Sequence, residues 1–100
     1  MRIIWSNSAK QDLLESLEYI ANDSLKNADM IREKMYKAVT MLEDYPNMGV
    51  LPKDEILVRM GYRMLVVESY LLFYLQKDEE IHITAIKHGT MRYWHLLGKE

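Results

Sequence analysis

Five residues carry side chains that suit chemistry on a phosphate or the recognition of a partner molecule. They are Arg63, Lys87, His88, Arg92 and Tyr93. Cleavage of RNA by its own 2′-hydroxyl requires a base near that hydroxyl, cations on the phosphate and an acid for the leaving oxygen. A guanidinium fork matches a phosphate, and an imidazole titrates near neutral pH. These five residues are therefore the candidate site.

Each candidate also has a plain structural interpretation. Arg63 could be a surface Arg that only solvates a sheet, and for His88 a hydrogen bond that caps the end of a strand is favoured. Tyr93 could stack on a base, as aromatic residues do in RNA sites, although packing of the tail onto a small core is favoured. Lys87 and Arg92 could form a solvated basic edge. The residue types leave these alternatives open.

The sequence gives little indication of a metal site, a cofactor site or a catalytic nucleophile. The three histidines, His82, His88 and His95, lie six and seven residues apart, and this spacing indicates no metal cluster. The chain has no cysteine, no glycine-rich phosphate loop and no nucleophile elbow. Asp54 and Glu55 are paired acids that could supply a general base, but a solvated loop is favoured. We therefore predict no metal and no cofactor.

The composition is that of a globular protein with an uneven charge distribution. The chain has 100 residues, 49% hydrophobic and 28% charged, which predicts a single domain over 1–100 and excludes disordered and fibrous classes. The net charge of −2 weighs against a strong nucleic-acid binder. The last 14 residues are nevertheless basic, with Glu100 as their one acid. The tail is therefore basic and the body acidic.

The beginning of the chain carries no recognisable targeting signal. "MRIIWSNSAK" has no long apolar run followed by a small-residue cleavage site. No stretch approaches the length that a membrane span requires. Together with the lack of cysteine, this predicts a cytoplasmic protein with no membrane partner.

The first half of the chain predicts a strand and two helices. Residues 2–6 are a short apolar run typical of a strand, and Ser8 with Gln11 suggests a capping box at the start of a helix. A second helix is predicted to start near Asn27 or Ala28 and to stop at Tyr45, because Pro46 disfavours helical geometry there. The apolar stripes of the two helices have helical spacing: Ala9, Leu13, Leu17, Ile20 and Ala21, then Ala28, Ile31, Met35, Ala38, Val39 and Leu42. The two form a helical hairpin.

The second half changes to β-type patterning. A turn region (46–55) holds both prolines. The runs "ILVRM", "YRMLVVES", "YLLFYLQ" and "IHITAIKH" then predict strands, with "KDEE" at a hairpin tip and the third run central. The last run alternates Ile81, Ile83 and Ala85 against His82, Thr84 and Ile86. We predict an α+β fold: an N-terminal strand, a helical hairpin, then three to four antiparallel strands and a short C-terminal tail.

This order of elements resembles the RelE/ParE family of bacterial toxins from type II toxin–antitoxin systems. In "WSNSAKQDLLESLEYIA" the family tends to show A-x-x-D-L followed by Y-I. "LEDYPNMGVLP" is similar to its inter-element turn, "GYRMLVVESYLLFY" to its central hairpin and "IKHGTMRYWHLL" to its closing strand and tail. The resemblance covers nearly the whole chain, implies a RelE/ParE-like fold and places a family Arg at Arg63.

The resemblance implies a toxin that a cognate antitoxin wraps and neutralises. RelE-like members cut messenger RNA on the ribosome, whereas ParE-like members bind and poison DNA gyrase. The final strand ending I-x-H resembles the ParE-like pattern, and the acidic body weighs against tight ribosome binding. We therefore expect inhibition of bacterial growth through gyrase. The alternative is ribosome-dependent cleavage of mRNA, which would make the chain an endoribonuclease.

The tail departs from the family pattern at two positions. Thr90 stands where an Arg is common, and Arg92 stands where an Asp is common. A further alternative is therefore a homologue of reduced activity that acts only by binding the antitoxin. Within the tail we predict that its apolar residues, spaced three apart, anchor it to the domain: Met91, Trp94 and Leu97. Lys87, His88, Arg92 and Tyr93 are then predicted to face outward beside Arg63.

Overall fold

The computed structural model describes residues 1–89, so the predictions for Thr90, Arg92, Tyr93 and the apolar tail residues lie outside the described residues. The elements in chain order are β1 (Arg2–Trp5), α1 (Asn7–Asp23), α2 (Leu25–Met41), α3 (Glu55–Arg59), β2 (Tyr62–Val67), β3 (Tyr70–Lys77) and β4 (Glu80–His88). The strands form one sheet in the order β1-β4-β3-β2. β1 runs parallel to β4, and the other pairs are antiparallel. The predicted α+β fold is confirmed, with three strands after the helical hairpin.

α1 begins two residues before the predicted start. The N-cap is Ser6, whose Oγ accepts a hydrogen bond from the Ala9 amide at 2.9 Å. The Ser6 amide also donates to the Ile83 carbonyl at 3.0 Å, so the strand passes directly into the helix. The prediction of Ser8 as the N-cap is wrong, because the sheet fixes where the chain must turn. The side chain of Gln11 instead donates to Glu15.

The second helix starts earlier and ends earlier than predicted. Ser24 closes α1 with a bond from its amide to the Ile20 carbonyl and caps α2 with its Oγ, which accepts from the Asn27 amide at 3.1 Å. Ser24 is therefore the C-cap of α1 and the N-cap of α2, so a single residue connects the two helices. The predicted end at Tyr45 is also wrong. Around Met41 the hydrogen-bond pattern changes to the 3₁₀ type, in which each amide donates to the carbonyl three residues earlier. The first of these bonds runs from the Leu42 amide to the Val39 carbonyl.

The run "ILVRM", predicted as a strand, lies in α3 and its C-cap. Asp54 Oδ1 accepts from the Ile56 amide at 2.7 Å and starts the helix. Gly61, with a φ of +93°, then turns the chain into β2. A side-chain cap and a glycine turn therefore outweigh the β-propensity of this short run. Asp54 is the N-cap of α3 and Glu55 is its first residue, so the acidic pair starts a helix and does not lie in the solvated loop that the sequence favoured.

The main core lies between the helical hairpin and one face of the sheet. Buried side chains from α1 and α2 pack there on Leu65, Val67, Leu72 and Tyr74. The buried residues that the helices and the α2 C-cap contribute to this core all belong to the predicted stripes: Ala9, Leu13, Ile31, Met35, Val39 and Leu42. Leu17, Ile20 and Ala38 of those stripes are only partly buried. Full burial of each large aliphatic side chain stabilises the fold by about 1.5–3 kcal/mol. Among residues 1–89, no helix is long and apolar enough to span a membrane.

A β-bulge in β4 changes the face on which its last residues lie. Phe73 pairs with Ala85 and Tyr74 pairs with Ile83, so Thr84 is an extra residue with no register partner on β3, although its hydroxyl donates to the Phe73 carbonyl at 3.3 Å. Ile86 consequently joins Ile81 and Ile83 in the main core. Ala85 packs on the opposite face of the sheet with a second, smaller cluster. The predicted alternation was wrong beyond Thr84, because a bulge shifts the side-chain period by one residue.

Candidate functional site

Arg63 lies near the start of β2, an edge strand of the sheet, and its side chain holds a loop. Its Nη1 donates a hydrogen bond to the Gly49 carbonyl at 2.9 Å, and the residue is half-buried. Val50 also pairs with Met64 of β2 through two backbone bonds of 2.8 and 2.9 Å. We call residues 46–50 the anchored loop. In this structure the guanidinium acts first as a structural donor.

Tyr74 of β3, which pairs with Arg63, also bonds to the anchored loop. Its hydroxyl donates to the Pro46 carbonyl at 2.9 Å and accepts from the Gly49 amide at 3.0 Å. A Cβ at Gly49 would lie 2.6 Å from that hydroxyl, so only glycine fits there. Burial raises the pKa of the Tyr74 hydroxyl, and the Gly49 amide and the Arg63 charge offset part of the rise. The hydroxyl therefore stays neutral and can donate at physiological pH.

The C-terminal end of β4 carries the other described candidates, and α1 holds the strand in place. The pairing of β1 with β4 ends at Ile83, and beyond it the start of α1 bonds to the β4 backbone. The N-cap Ser6 donates its Oγ hydrogen to the Thr84 carbonyl at 3.3 Å, and Asp12 Oδ2 accepts from the Ile86 amide at 2.9 Å. Buried backbone groups require such partners. The A-x-x-D-L pattern thus has a physical basis. Ala9 and Leu13 are the buried residues of α1, and Asp12 of the same helix bonds to β4.

Lys87 and His88 follow this clamped bulge and reach solvent. Lys87 Nζ lies 3.9 Å from Asp12 Oδ2, a partly exposed ion pair. His88 is exposed, and its ring lies against Tyr70 with 5.0 Å between centroids. Burial raises the pKa of the Tyr70 hydroxyl, with a smaller contribution from the charge of Tyr19. We call Lys87 and His88 the β4-end surface.

Lys87 and His88 are neighbours in β4 but lie on opposite faces of the sheet, since Lys87 pairs with Leu71 and His88 with Tyr70. Neither is beside Arg63, so the predicted placement next to Arg63 is wrong for these two residues. Arg63 pairs across the sheet with Tyr74, whereas His88 pairs with Tyr70. Tyr70 and Tyr74 are four positions apart along β3, which is about 13 Å at the usual rise per residue in a strand. The remaining candidates, Arg92 and Tyr93, lie outside the described residues.

Sequence reasoning missed Asp12 and Tyr74, which position the two candidate regions. Asp12 carried a signal in the family pattern. Tyr74 carried none beyond its place in an apolar run, because its partners are backbone atoms distant in sequence. Within residues 1–89, no cluster of three or more His, Asp or Glu side chains is arranged to hold a metal ion. His82 instead forms a hydrogen bond with Glu80 at 3.1 Å.

Comparison with known proteins identifies relatives of this arrangement. A family model described as the ParE toxin of the type II toxin–antitoxin system parDE matches residues 3–93. A solved structure titled as the chromosomal ParDE TA system from P. aeruginosa aligns with a TM-score of 0.72 over 90% of this chain and 97% of that chain. The sequence identity is 22%, so this likeness shows a shared fold. A search of curated proteins finds no match.

Proposed function

The chain belongs to the ParE toxin family of type II toxin–antitoxin systems, and on that premise we propose that it inhibits bacterial growth by binding DNA gyrase. The separation of the candidate cations carries the choice of binding over RNA cleavage. A cleaving site needs a base and cations around one scissile bond. Here Arg63 bonds to the Gly49 carbonyl and lies roughly 13 Å along the sheet from the pair containing His88.

The β4-end surface is the part of the described chain that we propose contacts the target. Lys87 and His88 lie after a bulge that is bonded to the N-cap Ser6 and to Asp12 of α1. A rigid support of this kind allows exposed side chains to bind without a large ordering penalty. Arg92 and Tyr93 lie outside the described residues, and we propose that they also take part in binding the target.

We also propose that a cognate antitoxin covers the helical hairpin. The hairpin exposes six large apolar residues, each between 45% and 74% exposed: Leu14, Tyr19, Leu25, Met30, Tyr36 and Met41. Apolar surface of this extent favours association with a partner. An antitoxin segment that becomes ordered on binding suits such a surface, because it can wrap a convex pair of helices.

Induced expression in a bacterium tests the target, with plasmid supercoiling and mRNA integrity measured in the same cultures. Gyrase poisoning predicts altered supercoiling with intact mRNA, and the purified toxin should increase DNA cleavage by purified gyrase. Ribosome-dependent loss of mRNA with normal supercoiling would replace this proposal with the RelE-like activity. An inert chain that still binds its antitoxin would identify a homologue of reduced activity.

Paired substitutions link the result to the proposed surface. Lys87→Ala and His88→Ala should each weaken growth inhibition and gyrase-dependent DNA cleavage. Lys77→Ala is the matched control, because Lys77 is an exposed lysine at the far end of the β3–β4 hairpin. Equal activity of all three variants would show that the β4-end surface does not contact the target.

A further inference from the structure

The sheet has two edge strands, β1 and β2, which differ in what lies along their outer sides. The anchored loop exchanges two backbone hydrogen bonds with β2. At the other edge, the Ser6 amide points to β4, where it donates to the Ile83 carbonyl at 3.0 Å. Since backbone groups alternate in direction along a strand, the amides and carbonyls of Ile3 and Trp5 point away from β4. Residues 1–89 supply no hydrogen-bond partner for them.

The β1 edge carries few of the features that protect an exposed strand. Such edges are usually protected by proline, a bulge, charged side chains or a covering loop. β1 pairs with β4 in an unbroken register and has the sequence RIIW, in which Arg2 is the single charged residue. The Arg2 side chain is bonded to Glu80 at 2.8 Å. The β1 edge is therefore a template for a short strand from another chain.

The side of α2 next to this edge is partly apolar and partly basic. The ring of Tyr36 lies 5.7 Å from the ring of Trp5 in an edge-to-face arrangement, so this part of the helix adjoins β1. Arg32, Lys37 and Met41 line the same surface depression as Tyr36. Tyr36 and Met41 are 46% and 47% exposed. We call Arg32, Tyr36, Lys37 and Met41 the α2 flank.

The charge of α2 is opposite in sign to that of α1. α2 contains four Lys or Arg and two Asp or Glu residues, a net charge of +2, whereas α1 contains one lysine and four acids, a net charge of −3. Arg32 lies 3.5 Å from Asp29, but both side chains are exposed, so this ion pair is weak. Among residues 1–89, Lys37 has no ion-pair partner. The α2 flank is therefore complementary to acidic side chains.

We propose that an extended, acidic segment of the antitoxin adds to the sheet beside β1. Its backbone pairs with the outward amides and carbonyls of Ile3 and Trp5, and its acidic side chains face the α2 flank. Main-chain bonds to a sheet edge supply affinity, and the neighbouring side chains supply specificity. This inference rests on the proposed function, because it extends the antitoxin-binding surface from the helical hairpin, where Tyr36 and Met41 belong to it, onto the sheet.

Amide hydrogen exchange, followed by NMR, tests the added strand. The samples are the toxin alone and its complex with the protein that co-purifies when both genes of the toxin–antitoxin system are expressed together. The Ile3 and Trp5 amides should exchange about tenfold more slowly in the complex, as expected for amides that gain a partner. The Val66 amide is the matched control at the β2 edge, two residues beyond Met64, whose amide bonds outward to Val50. It should exchange at the same rate in both samples.

Ile3→Pro removes one proposed donor and leaves the pairing of β1 with β4 in place. Proline is tolerated on an edge strand where its missing N–H would face outward. Ile3→Ala is the matched control, because it also loses the isoleucine side chain but keeps the amide. Affinity for the antitoxin should be about fivefold lower in Ile3→Pro than in Ile3→Ala, the equivalent of one lost hydrogen bond. Equal affinities of the two variants, both folded by circular dichroism, would contradict strand addition.

Charge reversal tests the acidic character of the segment and does not alter the strand. Arg32→Glu with Lys37→Glu should weaken antitoxin binding by about tenfold at low salt and by less at high salt, because exposed charges are screened. Lys10→Glu with Lys26→Glu is the matched control, since it changes the net charge equally at exposed residues that lie outside the α2 flank. An equal loss in both pairs would overturn the proposed contact with the α2 flank.

Failure of this inference can be distinguished from failure of the proposed function. If Leu25→Asp on the helical hairpin weakens the complex but the Ile3 and Trp5 amides exchange as in the free toxin, the antitoxin covers the hairpin and not β1. Protection of these amides in the toxin alone that rises with protein concentration would identify a second copy of the chain as the occupant and would overturn the inference. A toxin that binds no co-expressed protein would contradict the proposed antitoxin and this inference together.

Discussion

The anchored loop and the β4-end surface are both held by side chains that bond to distant backbone atoms, but they differ in what the candidate residue does. At the anchored loop the candidate, Arg63, is itself one of the anchors. At the end of β4 the anchors are Ser6 and Asp12 of another element, and Lys87 and His88 extend beyond them. A cation that holds the fold together is less available to a partner. Stability and function should therefore be inseparable in the first region and separable in the second.

The largest effect is expected for Gly49→Ala in the anchored loop. The new Cβ would lie 2.6 Å from the Tyr74 hydroxyl and 2.8 Å from the Met64 carbonyl. The Tyr74 ring and the Met64 backbone cannot both move aside to make room. The loop should therefore detach from the sheet, with a loss of about 2–3 kcal/mol in the free energy of unfolding. Urea denaturation measures this loss. Met48→Ala, at a more exposed neighbour, should change stability by less than about 0.5 kcal/mol, and similar values for the two variants would argue against a fixed loop.

Asp12→Ala should be the most damaging change at the end of β4. It leaves the Ile86 amide without its acceptor, and an unsatisfied buried amide destabilises by about 1–3 kcal/mol. Asp12→Asn is the matched control, since its amide oxygen can still accept that hydrogen bond while the charge beside Lys87 is lost. Chemical denaturation of both variants separates the hydrogen bond from the charge. If Asn proves as harmful as Ala, the ion pair with Lys87 is the more important contact.

Tyr74→Phe should have a somewhat smaller effect than either change. The hydroxyl donates to Pro46 and accepts from Gly49, and its removal leaves a carbonyl and an amide to find other partners. We expect a loss of about 1–2 kcal/mol, measured by thermal or urea unfolding. Tyr45→Phe, at a residue that is 61% exposed, should be nearly neutral. A neutral Tyr74→Phe would mean that the loop is held by Arg63 and the Val50–Met64 pairing instead.

The pair Arg63→Ala and His88→Ala compares the two regions most directly, and it has the smallest expected effects on stability. Arg63→Ala should lower stability by about 1 kcal/mol through the lost bond to Gly49, with any loss of toxicity accompanying that change. His88→Ala should alter stability by less than about 0.5 kcal/mol and still reduce toxicity. Thermal melts paired with a growth assay test both. Loss of toxicity in Arg63→Ala at unchanged melting temperature would make Arg63 a contact residue and remove the distinction between the two regions.

The sequence by itself determined the class of fold and the faces of the helices. The stripes of α1 and α2 follow a helical period over 17 residues each, and so long a pattern has few competing interpretations. The family pattern A-x-x-D-L includes Asp12, although sequence reasoning assigned no role to this residue and only the structure shows its bond to β4. Short segments were less determinate, because a local cap at Asp54 and a turn at Gly61 outweighed the β-propensity of the run between them.

Only the tertiary structure decided how the candidate residues are used. Ser6 rather than Ser8 caps α1 because β4 fixes the end of β1. The bulge at Thr84, which puts Ile86 in the main core and Ala85 on the opposite face of the sheet, depends on the pairing of β3 with β4. Arg63 and Tyr74 bond to backbone atoms 14 to 28 residues away. Contacts of this kind leave no periodic trace in a sequence, because backbone carbonyls and amides are the same at every residue except proline.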